Sequence, residues 1–220
     1  MRSIPLPALL ALAACVEPAI PSEPDASFPA GLSQARVTLE GNDASFADRT
    51  GTPLFQARFS EWGRPGAERP PGAGVHDQDC ATASPTGSQD CGMPHRLRHE
   101  DGLTSWWVAA PSGHQQGWTI DDAPSGSGEL RFSTELDGVE GLHTDGTSAG
   151  FTDGAGRSWT VSGLAAWDAE GADLPIWTEA GGSTLDVVVD DAGASYPITV
   201  DPIYSSPDVT IAGGDGGADL

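Results

Sequence analysis

Gly128-Glu-Leu-Arg-Phe-Ser-Thr-Glu-Leu136 alternates strictly along its length. Leu130, Phe132, Thr134 and Leu136 fall on one side of an extended chain, and Glu129, Arg131, Ser133 and Glu135 on the other. Successive side chains of a strand point to opposite faces, so this is a strand with one buried and one wet face. The same reading extends outward in both directions. Arg36-Val-Thr-Leu-Glu40 is β-branched and alternating, and Leu54-Phe-Gln-Ala-Arg-Phe59 follows it before Trp62. Residues 103–109 are apolar and aromatic, and Gly117-Trp-Thr-Ile120 forms a short strand after a glycine-rich turn. Residues 158–167 predict a strand pair around Gly163. Residues 174–178 and 183–190 predict a hairpin around Gly181-Gly182, with Leu185, Val187 and Val189 facing inward. Tyr196, Ile198 and Val200 share one face of the last strand, and Pro197 predicts a strand start or a sheet edge.

No stretch of a dozen residues keeps a helical period. Strand signals recur every ten or so residues with turns between them, which predicts an all-β, antiparallel β-sandwich-like domain. Gly and Pro, at 29 and 18 residues of 220, favour turns and short strands over long helices. With 38% hydrophobic residues and seven Trp, the chain can build a core.

The two ends read differently from the middle. Met1-Arg2 is a short positive start, residues 4–11 are apolar, and Leu12-Ala-Ala-Cys15 places small residues before a cysteine. This looks like a bacterial lipobox. Residues 1–14 are then a signal peptide, and mature Cys15 carries lipid and anchors the chain in a membrane. The apolar run is far shorter than the ~20 residues a membrane-spanning helix needs. Residues 15–32 are rich in Pro, Ser, Ala and acids and read as a flexible tether. Residues 33–203 form the β domain. Residues 204–220 end in Gly213-Gly-Asp-Gly-Gly-Ala-Asp-Leu220, which reads as a linker toward a further domain. The expected location is the cell envelope, at the outer membrane or cell surface.

The formal net charge is −22, and all ten basic residues are Arg. A polyanionic surface repels phosphate backbones, which excludes nucleic acid as a partner. Cys80 and Cys91, with ten residues between them, lie in a polar stretch and can pair as a disulfide once Cys15 is lipidated. Free thiols or half of a metal site are the alternatives. The lack of a second cysteine pair argues against zinc.

Three segments resemble a known family. Trp106-Trp-Val-Ala-Ala-Pro-Ser-Gly-His-Gln-Gln-Gly-Trp-Thr-Ile120 resembles a W-Y-V-N…G-L-E-Q-G-F/W-T-L segment of large secreted proteins of high-G+C Gram-negative bacteria, with His114 and Gln115 in place of Leu and Glu. Trp159-Thr-Val-Ser-Gly-Leu-Ala-Ala-Trp-Asp-Ala-Glu-Gly-Ala-Asp-Leu-Pro175 is similar to their Y-x-G-L-x-x-x-D-A-x-G-R-x-L-P segment, with Asp173 in place of Arg. Asp190-Asp-Ala-Gly-Ala-Ser-Tyr-Pro-Ile-Thr-Val-Asp-Pro202 resembles their D-D-x-G-A-x-Y-P-L-x-V-D-P ending. The resemblance is strongest over residues 103–203. It implies a β-rich module that precedes an integrin-α-like array of FG-GAP repeats, a β-propeller, and it implies surface display or adhesion. The repeats' own calcium loop is not in this chain.

No Gly-x-Ser-x-Gly nucleophile elbow occurs. His76, His95, His99, His114 and His143 each fall in a polar loop or at a strand end and read as exposed. Asp121-Asp122 and Asp190-Asp191 follow strands directly, where Asp favours turns over paired-carboxylate catalysis. Asp145-Gly-Thr and Asp153-Gly-Ala-Gly have too few acids within one loop for calcium. No catalytic residue, metal site or cofactor is assigned. Trp118, Trp159 and Trp167 read as core. Of the adjacent pair Trp106 and Trp107, one enters the core and the other faces outward as a candidate ligand contact. The resulting expectation is a non-enzymatic structural or adhesive module with a surface protein or glycan as ligand. A carbohydrate- or calcium-binding lectin-like domain, or a secreted hydrolase, is the alternative.

Overall fold

The computed structural model describes residues 36–48, 50–76, 95–110 and 113–206. Among the described residues the regular structure is all strand and contains no helix. In chain order the strands are β1 (Arg36–Glu40), β2 (Asp43–Ala47), β3 (Pro53–Gly63), β4 (Gly74–His76), β5 (His95–His99), β6 (Leu103–Ala110) and β7 (Gly113–Ile120). They continue as β8 (Leu130–Asp137), β9 (Val139–Thr144), β10 (Ala149–Asp153), β11 (Ser158–Trp167), β12 (Ile176–Gly181), β13 (Thr184–Val189) and β14 (Ile198–Ser205).

The strands make two sheets. A six-stranded sheet runs β1-β2-β3-β8-β13-β12, and an eight-stranded sheet runs β4-β5-β6-β7-β14-β11-β10-β9. Every pairing is antiparallel. The expected all-β sandwich is therefore the architecture of the chain. Its core has two halves, each filled from both sheets. In one, Phe46, Phe55 and Leu185 meet Trp107, Phe151, Trp159 and Tyr204. In the other, Phe59, Trp62, Phe132 and Val187 meet Trp118, Ile120, Ile198 and Val200. Aromatic contacts tie the sheets together: Trp118 stacks on Phe132 at 4.8 Å between centroids, and Phe55 meets Trp159 edge-on at 4.8 Å.

The alternation of residues 128–136 is realised in β8. Leu130, Phe132, Thr134 and Leu136 are buried, and Arg131 and Glu135 lie on the other face with Ser133. Arg131 there donates to Asp186 on the neighbouring β13 at 2.7 Å and to Glu179 on β12 beyond it at 2.8 Å. The predicted hairpin forms as β12–β13, closing with Gly181 opposite Thr184. Several expectations change. Residues 158–167 form one bent strand instead of a pair: β11 runs through Gly163 with a bulge between Ser162 and Ala165. Pro197 directly precedes β14 and so marks a strand start, one of its two expected places; β14 itself lies in the sheet interior between β7 and β11, not at an edge. Pro202 lies in its middle. Proline has no ladder donor, so a central strand tolerates it at a bulge, and the β11 bulge falls opposite it. Strands β2, β4, β5, β9 and β10 carry no clear strand signal in the sequence, because each is short and mixes small, polar and apolar residues.

One loop design recurs. At Asp48-Arg-Thr-Gly-Thr52, Asp153-Gly-Ala-Gly-Arg157 and Asp168-Ala-Glu-Gly-Ala172, the aspartate backbone N–H donates to the carbonyl four residues on. The glycine N–H returns to the aspartate carbonyl at 2.9–3.0 Å. The Oδ1 of each aspartate accepts from the backbone N–H two and four residues later, at 2.8–3.0 Å. The glycines take left-handed φ values of +89°, +79° and +80°, which a residue with a Cβ adopts only with strain. Asp145 braces its turn in a related way, accepting from the N–H groups of Thr147 and Ser148. The calcium-like fragments at Asp145 and Asp153 are thus turn braces.

Candidate functional site on the outer sheet face

Residue partners in the eight-stranded sheet decide which aromatic faces outward. Leu103, Ser105 and Trp107 point into the sandwich, and Trp107 is only 4% exposed against Phe46 and Tyr204. Trp106 is half-buried on the opposite face. Of the two sequence candidates, Trp107 is therefore core and Trp106 is the outward one. Cys15, Cys80 and Cys91 lie outside the described residues, so lipidation at Cys15 and the Cys80–Cys91 disulfide are untouched by the geometry. Trp118 and Trp159 are core residues as expected. Trp167 differs from its expected place: it pairs with Thr199, next to Ala166 opposite the buried Val200, and so sits half-buried on the outer face.

Trp106 pairs with Gly117, and its indole lies over that glycine. A Cβ on Gly117 would come within 2.0 Å of the ring. Glycine weakens a strand interior, and its use here is to let the indole lie down on the sheet. Beyond Gly117, on β14, comes Asp201. Asp201 pairs with Ala165 on its far side, and its Oδ2 accepts from Gln115 Nε2 at 3.3 Å. Its Oδ1 is buried without a hydrogen-bond partner among the described residues. Burial pushes this carboxyl up to about 6. Next along the strands is a row of three threonines, Thr104, Thr119 and Thr199, ending at Trp167. All four are half-buried.

The other chemistry-bearing groups are committed to the scaffold. His99 is buried, contrary to the expectation of an exposed loop histidine. Its Nδ1 donates to the Gly72 carbonyl at 2.8 Å, which leaves Nε2 to accept from the Ser105 hydroxyl at 2.9 Å. This has the spacing of a nucleophile and base, but His99 and Ser105 are 3% and 7% exposed on the inward face. The pair ties the loop before β4 to the sheet. His114 is also only partly exposed, edge-on to Phe46 at 5.8 Å between centroids, and His143 lies on the surface over Gly150. The described residues bring no three His, Cys, Asp or Glu side chains into a metal-binding group.

Asp190 braces a turn through the Ala192 N–H at 3.0 Å, as expected. Asp191 does not. It is buried and paired with Arg64 at 2.7 and 2.9 Å, and the Tyr196 hydroxyl also donates to it. Burial raises its carboxyl, but the Arg64 and Tyr196 bonds outweigh that and hold it below the usual carboxylate range. The Tyr196 hydroxyl is pushed up by burial and by the bond to Asp191. Asp121 makes a long contact with Arg98 at 3.5 Å, and its exposed carboxylate does not converge with another.

The fold and this face define an antiparallel two-sheet β domain with an aromatic and polar outer surface. Compared with known proteins, the chain matches no family model, no curated protein and no solved structure.

Asp201, Gln115 and the threonine row were not singled out from the sequence. The signal was available in part. If Ile198 and Val200 face inward, then Thr199 and Asp201 must face outward, and Gln115, Gly117 and Thr119 alternate with Trp118 in the same way.

Proposed function

We propose that the chain is a non-enzymatic module of the bacterial cell envelope, anchored by lipid at Cys15, whose β-sandwich serves a structural or adhesive role. It is of the kind that precedes an FG-GAP propeller. The observation that carries the non-enzymatic reading is where five of the aspartates go; Asp201, whose carboxyl burial raises, stands apart from them and bonds the Gln115 amide. Asp48, Asp145, Asp153 and Asp168 brace loops through backbone N–H groups, and Asp191 is held by Arg64. An acid engaged in that way is held ionised and is a poor proton donor at neutral pH. The Leu12-Ala-Ala-Cys15 stretch supports the anchor, and the net charge of −22 suits a solvated surface module.

Metabolic labelling with an alkyne fatty acid tests the anchor. Expression of the full chain in a Gram-negative host is expected to give a labelled membrane protein. Substitution C15S is expected to abolish the label, and a signal-peptidase II inhibitor to leave the unprocessed form. Unlabelled protein released into the periplasm or medium would overturn the anchor. Sequencing the DNA that follows the codon for Leu220 tests the propeller. In-frame FG-GAP repeats are expected there, and their absence would overturn that part of the reading.

A further inference from the structure

The outer face of the eight-stranded sheet holds two indoles with a polar strip between them. Trp106 stands on β6 and Trp167 on β11, with β7 and β14 in between. At a strand spacing of ~4.8 Å, three intervals put β6 and β11 ~14 Å apart, and the two indoles are offset by two residues, ~7 Å, along the strands. Between them lie Thr119 and Thr199 in one row, and Gly117 and Asp201 in the next, with Gln115 bonded to Asp201. Gly117 is the informative residue. A strand interior gains nothing from glycine, and here it lets the Trp106 ring lie along the sheet with one face turned away from it.

An indole face beside hydroxyl, amide and carboxylate groups is complementary to one kind of molecule. A sugar ring has an apolar C–H face that stacks on an aromatic ring, and hydroxyls at its rim that both donate and accept. A polyanion is repelled by a chain of net charge −22. A protein partner favours an interface whose centre is apolar, whereas the centre of this strip is threonine, glutamine and aspartate. The charged side chains on this part of the face are Asp201 within the strip and Arg96 and Arg98, exposed on β5 to one side of it, with Arg96 opposite Trp106.

We propose that this face binds a neutral oligosaccharide. One sugar stacks on Trp106 and another meets Trp167; Thr119, Thr199 and Gln115 hydrogen-bond the hydroxyls of the units between, and Asp201 holds the Gln115 amide in place. The inference rests on the adhesive reading above and supplies its ligand class.

Affinity electrophoresis of the full chain tests it. The protein is extracted in a polyoxyethylene detergent, because a sugar-headed one would compete. Native gels contain laminarin, galactomannan, dextran, xylan or hydroxyethylcellulose, with alginate as an anionic comparison. At least one neutral polysaccharide is expected to retard the protein, with alginate giving none. W106A is expected to weaken the apparent affinity tenfold or more. T199R, which places a long side chain on the strip without touching the core, is expected to abolish retardation. R58A on the six-stranded sheet is expected to change nothing. Should W106A fail to fold, T199R carries the comparison alone. Retardation by none of the neutral polysaccharides, retardation by alginate alone, or retardation that T199R leaves intact would each overturn the proposal. Loss of fatty-acid labelling with retardation preserved would count against the envelope anchor and leave the glycan site standing.

Discussion

Replacing Asp201 by Asn is expected to stabilise the protein above about pH 6 and to have little effect below about pH 4. In the fold this carboxyl is raised by burial from 3.8 to about 6. Its contacts explain why. One oxygen accepts a long bond of 3.3 Å from Gln115, and the other is buried without a partner. Among the described residues no positive charge stands against it to offset desolvation. The folded state therefore holds the proton more tightly than the unfolded state. Stability from this group is fully present below 3.8, declines as the pH rises toward about 6, and is absent above that. At about 1.4 kcal/mol per pH unit, the ceiling on the loss is about 3 kcal/mol. Partial exposure and relaxation of the surroundings reduce this to about 1–2 kcal/mol. Asn keeps the shape and an acceptor for Gln115 but cannot ionise. Urea unfolding of the wild type and D201N, followed by tryptophan fluorescence from pH 4 to pH 8, measures the difference directly. A gap that opens between pH 4 and 6 and then stays level is expected. An equal difference at both ends of the range, or an Asn variant less stable at pH 7, would refute the reasoning. A carboxyl titration by NMR with a midpoint at or below 4 would do so as well.

Three further outcomes follow from the packing. The carboxylate of Asp153 accepts from the N–H groups of Ala155 and Arg157, from Arg157 Nε and from Trp159 Nε1, at 2.9–3.0 Å. D153N turns one acceptor oxygen into a donor facing donors, and a loss of roughly 2–4 kcal/mol is expected in thermal unfolding; an unchanged Tm would show that the loop does not depend on this brace. G117A drives a methyl into the Trp106 ring, so about 1–3 kcal/mol of destabilisation and a red-shifted tryptophan emission are expected, whereas an unperturbed spectrum would mean the indole is free to lift away. R64M leaves the Asp191 carboxylate buried without its cation, at 5% side-chain exposure, and a loss of about 3–5 kcal/mol is expected by urea unfolding at neutral pH; the double variant R64M/D191N should recover part of it, and failure to recover any would assign the loss to packing instead of charge.

Much of this protein is written locally. The alternation of residues 128–136 placed β8 and its buried face, because side-chain direction in a strand depends only on position parity. Arg36–Glu40 and the hairpin at Gly181-Gly182 were legible for the same reason. The Asp-x-x-Gly loops at Asp48, Asp153 and Asp168 were also in plain view as a repeat, since their bonds close within five residues. What parity cannot supply is the identity of the neighbour. It allowed either Trp106 or Trp107 to be the inward one, and only the antiparallel register across β6, β7 and β14 chose Trp107. Trp167 moved from the expected core to the outer face because the bulge at Gly163 adds a residue and reverses the parity of the rest of β11. The pairing of Arg64 with Asp191, 127 residues apart, and the burial of Asp201 beside Gln115 are likewise products of chain closure. Local sequence settles which way a side chain points within its strand. Burial, charge pairing and the composition of a surface depend on strands that are distant in the chain, and the tertiary structure alone brings those together.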